Sequence, residues 1–172
     1  NIPTGVQINK ISHSIFIIDE KQKKFPLQNI LQNKLKRIGK KINDLKKTPI
    51  VTELPDGGVV CWAMASDDIN LFQCHTLLRK SLAFIANEKP ISISIICQVE
   101  AKLSKIWGES AVYVALLNTR NLPSHKKGTK NAPLKKLILY GVTPSIDFNT
   151  ILATVEGNTL TRELTITPPN NL

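Results

Sequence analysis

Side chains able to do chemistry are sparse in this chain and do not cluster by spacing. The histidines are His13, His75 and His125, and the cysteines are Cys61, Cys74 and Cys97. A zinc site needs three or four converging ligands, and none of these residues pairs with another His or Cys at metal-ligand spacing. Cys74 and His75 are adjacent, which on a helix sets their side chains about 100° apart. Asp67 and Asp68 follow an apolar run and open a helical pattern, the place where many α/β sites lie; acids there also suit the positive end of a helix dipole. No G-x-S-x-G, P-loop or G-x-G-x-x-G motif is present. Gly57-Gly58 precedes a strand pattern, whereas a phosphate cradle follows a strand and opens a helix, so the pair reads as a turn. The expectation is that this segment supplies neither catalytic nor metal-binding residues. The rival enzyme reading is a small stand-alone catalyst built on Asp67, Asp68 and His75.

Charge gives a second kind of candidate. The formal net charge is +10, and residues 1–50 carry eleven Lys/Arg against three acids, or +8 of it. Lys34, Arg37 and Lys41 on a helical pattern, and Lys126, Lys127 and Lys130 in a polar loop, are the residues that would contact nucleic acid. Neither cluster carries aromatic side chains suited to base stacking, and Lys outnumbers Arg, the better base reader. A solvated surface is the competing reading, with DNA as the partner if binding occurs.

Alternating strand and helix patterns must position these residues. At 172 residues the chain suits one domain with its own core, and 42% hydrophobic against 21% charged residues is ordinary for a globular protein. Residues 12–19, 59–65, 91–97 and 134–140 read as strands, and 50–54 as a short extended stretch. After Pro26, Leu27, Ile30, Leu31, Leu35, Ile38, Ile42 and Leu45 recur at spacings of three and four, predicting one amphipathic helix that Gly39 weakens. Ser66 is the expected cap of a helix with Leu71, His75, Leu78, Leu82 and Ile85 inward. Residues 99–117 read as helix, although Val112-Tyr113-Val114 is equally compatible with a strand. Ser145 is the expected cap of a last helix, which Gly157 should interrupt. Pro55-Asp56-Gly57-Gly58 is a turn. The pattern predicts an α/β fold: a mixed, mostly parallel sheet with helices on both faces. No apolar run approaches a membrane span. Three cysteines without paired spacing point to a reducing compartment and so to the cytoplasm, and each reads as a small buried hydrophobe.

The last residues carry a resemblance. Thr161-Arg162-Glu163-Leu164-Thr165-Ile166-Thr167-Pro168-Pro169-Asn170-Asn171-Leu172 resembles the segment R-D-L-V-N-T-P-P-N-D-L-T-P that joins the two domains of leucyl (cytosol) aminopeptidases. Arg162, Leu164, Thr167, Pro168, Pro169, Asn170 and Leu172 match; Glu163 stands for Asp and Ile166 for Asn. The helix around Leu77-Leu78-Arg79-Lys80-Ser81-Leu82-Ala83 is also similar to one in that family. The resemblance implies a non-catalytic, macro-domain-like N-terminal domain over residues 1–160 and a linker over 161–172. It implies a parent that releases N-terminal amino acids from peptides with two divalent metals, Zn or Mn, and assembles as a homohexamer. Its ligands would lie downstream, in a motif such as N-T-D-A-E-G-R that residues 1–172 do not contain. The alternative is a binding module: a macro-like crevice for a nucleotide such as ADP-ribose, or a basic face for nucleic acid.

Overall fold

A strand covered on both faces must be apolar at every position, and residues 59–65, V-V-C-W-A-M-A, meet that requirement: all seven are buried. They form β3 (Val59–Ala65) of a five-stranded sheet that also contains β1 (His13–Asp19), β2 (Ile50–Glu53), β4 (Ser92–Gln98) and β5 (Lys136–Tyr140), in the order β2-β3-β1-β4-β5. The computed structural model describes residues 1–120, 134–143 and 145–166. β1 lies parallel to both β3 and β4, β4 lies parallel to β5, and β2 is an antiparallel edge on β3. The expected mostly parallel sheet with helices on both faces is therefore observed.

Period-two alternation sends the side chains of each strand into two cores. Phe16, Ile18, Val60, Trp62, Met64 and Ile96 point to one face, covered by α1 (Gly5–Asn9), α2 (Gln28–Arg37) and a 3-10 turn (Ile42–Lys46). Trp62 stacks on Phe16 with ring centroids 5.0 Å apart and lies against Phe25 at 5.9 Å. Its indole Nε1 donates to Thr52 Oγ1 of β2 at 2.8 Å, which pins the short edge strand. Ile15, Ile17, Cys61, Ala63, Ile93, Ile95 and Cys97 point to the other face, covered by α3 (Leu71–Ala86) and α4 (Ala101–Thr119). There α5 (Phe148–Ile166) packs outside α4 through Ile151 and Val155. All three cysteines are free and buried, as expected of small hydrophobes. Among the described residues no helix is long and apolar enough to cross a membrane.

Several local expectations are corrected. The single helix expected after Pro26 is two elements, because Gly39 stops it. Gly39 sits at φ 64°. Its N–H donates to Lys36 O at 3.3 Å, and the Lys40 N–H donates to Leu35 O at 3.0 Å. This is a Schellman ending, which satisfies orphan carbonyls and needs a residue that tolerates positive φ. Gly157, by contrast, leaves α5 uninterrupted: it is exposed, and an isolated helical glycine costs only about 1 kcal/mol. Ser66 does not cap α3; Asn70 does, in a capping box with Gln73. Nor does Ser145 cap α5: the Asp147 carboxylate accepts from the Thr150 N–H at 3.1 Å and from Thr150 Oγ1 at 2.7 Å. Residues 112–114 are helical, since burying Val112 and Val114 outweighs their weak helix preference. Leu71 is exposed at 52%, and the buried stripe of α3 instead runs through Cys74, Leu77, Leu78, Ser81, Leu82 and Ile85.

Candidate functional site

Open α/β sheets bind ligands outside the carboxyl ends of their strands, where the strand order reverses. Here β1 leads to β3 on one side, and β3 leads back across to β4 on the other, so the reversal lies between β1 and β4. The chain leaving β1 turns toward α2 on one face, and the chain leaving β4 turns toward α4 on the other. Asp19, the last residue of β1, fills this divide. Its side chain is buried at 2% exposure. One carboxylate oxygen accepts from the Lys21 N–H at 2.9 Å, and the other from the Glu100 N–H at 3.0 Å. A carboxylate that accepts two backbone donors is a strong, charge-assisted tie. It stitches the two diverging loops together.

Above this tie the rim is a closed charge network. Asp67 Oδ2 lies 3.0 Å from Lys21 Nζ and 2.7 Å from Lys102 Nζ, and Glu100 Oε2 lies 3.4 Å and 3.6 Å from the same two ammonium groups. Beside it Lys46 is paired with Glu20, and with Asp68 at 3.5 Å, while the Ser66 hydroxyl donates to Asp68. Lys102 and then Lys21 hold the Asp67 carboxyl below its ordinary range, and the Ser66 hydroxyl does the same for Asp68. Asp67 raises Lys21, and Glu20 raises Lys46. Asp67, Asp68, Lys21 and Lys46 are thereby shifted toward their charged forms, away from donating a proton or offering a lone pair at neutral pH. General acid–base or nucleophilic catalysis needs the opposite tuning.

The remaining chemical candidates do not join this rim. His75 packs against Tyr113 with ring centroids 5.1 Å apart, and burial lowers its pKa. Burial pushes the Cys61 and Cys97 thiols up to about 12 and Cys74 to about 11, so all three remain protonated. Asp67, Asp68 and His75 therefore form no catalytic constellation. Among the described residues no group of three or more His, Cys, Asp or Glu side chains is placed to hold a metal, and lysines stand between the rim carboxylates. The loops leaving β1, β3 and β4, residues 20–27, 66–70 and 99–100, contain no glycine, so none forms the Gly-rich phosphate cradle that a nucleotide crevice requires.

The basic candidates separate. Lys34 and Arg37 lie on one face of α2 and, with Ile30, Asn33, Val51, Thr52 and Glu53, line a groove of about 510 Å³ between that helix and β2. Lys41 is exposed at the entry of the 3-10 turn, where its N–H donates to Asp44 at 2.8 Å. Lys126, Lys127, Lys130, the junction residues 167–172 and His125 lie outside the described residues. Sequence reasoning missed Asp19, Lys21, Glu100 and Lys102. The available signal was positional: each lies within a few residues of a strand's carboxyl end, where the charges of an α/β fold converge.

No protein-family profile and no curated protein matches the sequence. Among solved structures the chain is similar to the bottromycin maturation enzyme BotP in complex with Mn, with a TM-score of 0.57 and 13% identity. The match covers 91% of this chain and 32% of that one, so the chain spans about a third of that protein's length. At this identity the likeness shows the fold.

Proposed function

We propose that this chain is the non-catalytic N-terminal α/β domain of a metal-dependent leucyl-type aminopeptidase. The observation that carries the reading is the stretch from Thr161 to Leu172, which resembles the domain junction of that family. Two further observations support it. The crevice at the strand reversal is closed by Asp19 and a neutralised ion network rather than fitted with reactive groups. The structural neighbour is an enzyme complexed with Mn that is about three times as long as the matched region. In this reading the two divalent metals, Zn or Mn, and the peptide-cleaving residues belong to a domain beyond Leu172, and the residues described here do not fit a metal. The domain's task is to brace that partner domain, to take part in a homohexamer and to restrict access to the active site, in the cytoplasm.

The test is biochemical and genetic together. The reading frame beyond Leu172 is expected to encode an N-T-D-A-E-G-R-like motif, and the whole protein is expected to hydrolyse leucyl anilide with Mn or Zn. The segment 1–172 alone should be inert. Metal-dependent peptidase activity from the isolated segment overturns the proposal, as does a reading frame without a two-metal motif. The basic-surface alternative keeps Lys34, Arg37 and Lys41 among the described residues, the first two lining one groove. It requires duplex DNA binding that weakens steeply as salt rises.

A further inference from the structure

An edge strand leaves every second residue's N–H and C=O unpaired. On β2 the antiparallel register sets Thr52 opposite Val60 and Glu53 opposite Val59, and the Leu54 N–H donates to Gly58 O at 2.7 Å. Leu54, Thr52 and Ile50 therefore bond toward β3, while the main-chain groups of Val51 and Glu53 point outward. These outward groups have no main-chain partner among the described residues. They open into the groove of about 510 Å³ whose far wall is α2. That wall presents Ile30, Asn33, Lys34 and Arg37, at the i, i+3, i+4, i+7 spacing of one helix face. The side chains of Lys34 and Arg37 make no hydrogen bond or ion pair among the described residues, unlike the lysines of the rim. The groove thus combines a hydrogen-bonding edge, the Ile30 side chain, and the two cations beside Glu53, while the Val51 side chain turns to the opposite face of the sheet.

We propose that this groove binds an extended acidic peptide segment of a partner protein as an added strand on β2. The partner's backbone pairs with Val51 and Glu53, and its acidic side chains, at alternate positions, face Lys34 and Arg37. Charge decides the occupant. A second copy of this chain would bring a net charge of +10, with +8 of it in residues 1–50, against the same basic wall; like charges there oppose self-pairing and favour an acidic partner. Nucleic acid would find the two cations but no aromatic side chain in the groove to stack on. The inference stands on the edge geometry and is independent of the aminopeptidase reading.

The probe is a short fluorescein-labelled peptide of alternating valine and glutamate, titrated into the full chain and followed by anisotropy and amide NMR. Saturable binding is expected, with shifts centred on Val51, Glu53, Lys34 and Arg37. Arg37→Glu and Lys34→Glu, both on the surface of α2, should each weaken binding about tenfold without moving the unfolding midpoint. N-methylation separates strand addition from simple charge attraction. Methyl groups on one alternating set of peptide nitrogens should weaken binding about tenfold, and on the other set less than about twofold, because only one set faces β2. Failure to saturate by about 1 mM, equal loss from both methylated sets, equal affinity for a valine–lysine peptide, dimerisation of the chain through β2 in sedimentation, or tighter displacement by oligonucleotide than by peptide each overturns the proposal.

Discussion

The rim at the carboxyl ends of β1, β3 and β4 and the groove between β2 and α2 use the same kinds of side chain to opposite ends. On the rim each lysine has a carboxylate and each carboxylate a lysine, so Lys21, Lys102, Asp67 and Glu100 sum to no net charge. In the groove the side chains of Lys34 and Arg37 have no partner among the described residues and stand beside a single acid, Glu53. A closed network rigidifies loops and has nothing left for a ligand, whereas unpaired cations beside an open strand edge keep their interaction energy available. The place where α/β folds usually bind is here a brace, and the free chemistry has moved to the sheet edge.

The largest expected effect removes a support beneath the groove while leaving the rim side chains in place. Trp62→Ala deletes a fully buried ring that stacks on Phe16 and lies against Phe25, and strands the Thr52 hydroxyl. A loss of about 3–5 kcal/mol is expected in urea unfolding, with hydrogen exchange at residues 50–54 rising more than at residues 19–21. Equal loosening of both regions would break the comparison, because it would make the groove no more dependent on Trp62 than the rim is.

Next in size is the rim's own tie. Asp19→Ala leaves the Lys21 and Glu100 N–H groups without their shared acceptor. Hydrogen bonds to a charged partner contribute about 1.5–3 kcal/mol each, and water entering the opened site offsets part of that. A loss of about 2–3 kcal/mol is expected, with faster exchange at residues 20–24 and 99–101 and no change at the groove. Unchanged exchange at Glu100 would mean that Asp19 does not hold the two loops together.

How much of this was legible in the sequence follows from the range of the forces involved. β3 could be read because it is apolar throughout, and β1 because its central run, Ile15 to Ile18, is. Lys34 and Arg37 could be placed on one face because they lie three positions apart, a spacing fixed by the helix itself. The rim could not be read: Lys21 meets residues 46 and 79 positions away, Asp67 and Glu100, and only the strand order brings them together. The caps were misassigned by local competition. Ser66 and Ser145 are good cap residues in isolation, but the Asn70–Gln73 pair and the Asp147 carboxylate satisfy the first-turn donors better. The opposite behaviour of Gly39 and Gly157 was hidden because one letter denotes both a positive φ and an ordinary helical one.

That pair gives a smaller and sharper test. Gly39→Ala forces a side chain into φ 64° at the end of the helix that walls the groove. It should cost about 1 kcal/mol. Gly157→Ala meets no atom within 4 Å and should stabilise by about 0.5–1 kcal/mol, chiefly by restricting the unfolded chain. Opposite signs in thermal unfolding are expected. If Gly39→Ala is neutral, the Schellman ending is not what fixes where α2 stops, and the groove wall is less defined than its geometry indicates.

The smallest effect concerns the rim charges themselves. Asp67 and Asp68 have folded-state pKa values lowered by their lysine and serine partners. Their contribution is full above the ordinary carboxylate value and is lost as pH falls through the depressed one, below 3.8. Lys21 and Lys46 are raised, so their contribution is full below 10.5 and is lost only as pH rises through the higher folded values. Lys21, Asp67 and Asp68 are exposed and Lys46 is half-buried, solvent screens them, and at about 1 M salt the Debye length falls to about 3 Å. Asp67→Asn should therefore leave the unfolding midpoint at neutral pH nearly unchanged and remove any salt dependence traceable to this site. It should also flatten the fall in stability below pH 3.8. Peptide binding at the groove, which relies on unpaired Lys34 and Arg37, should keep its full salt dependence in the same variant. Should Asp67→Asn alter peptide affinity as much as Arg37→Glu does, the two regions would be one electrostatic unit, and the separation of brace from binding edge would fail.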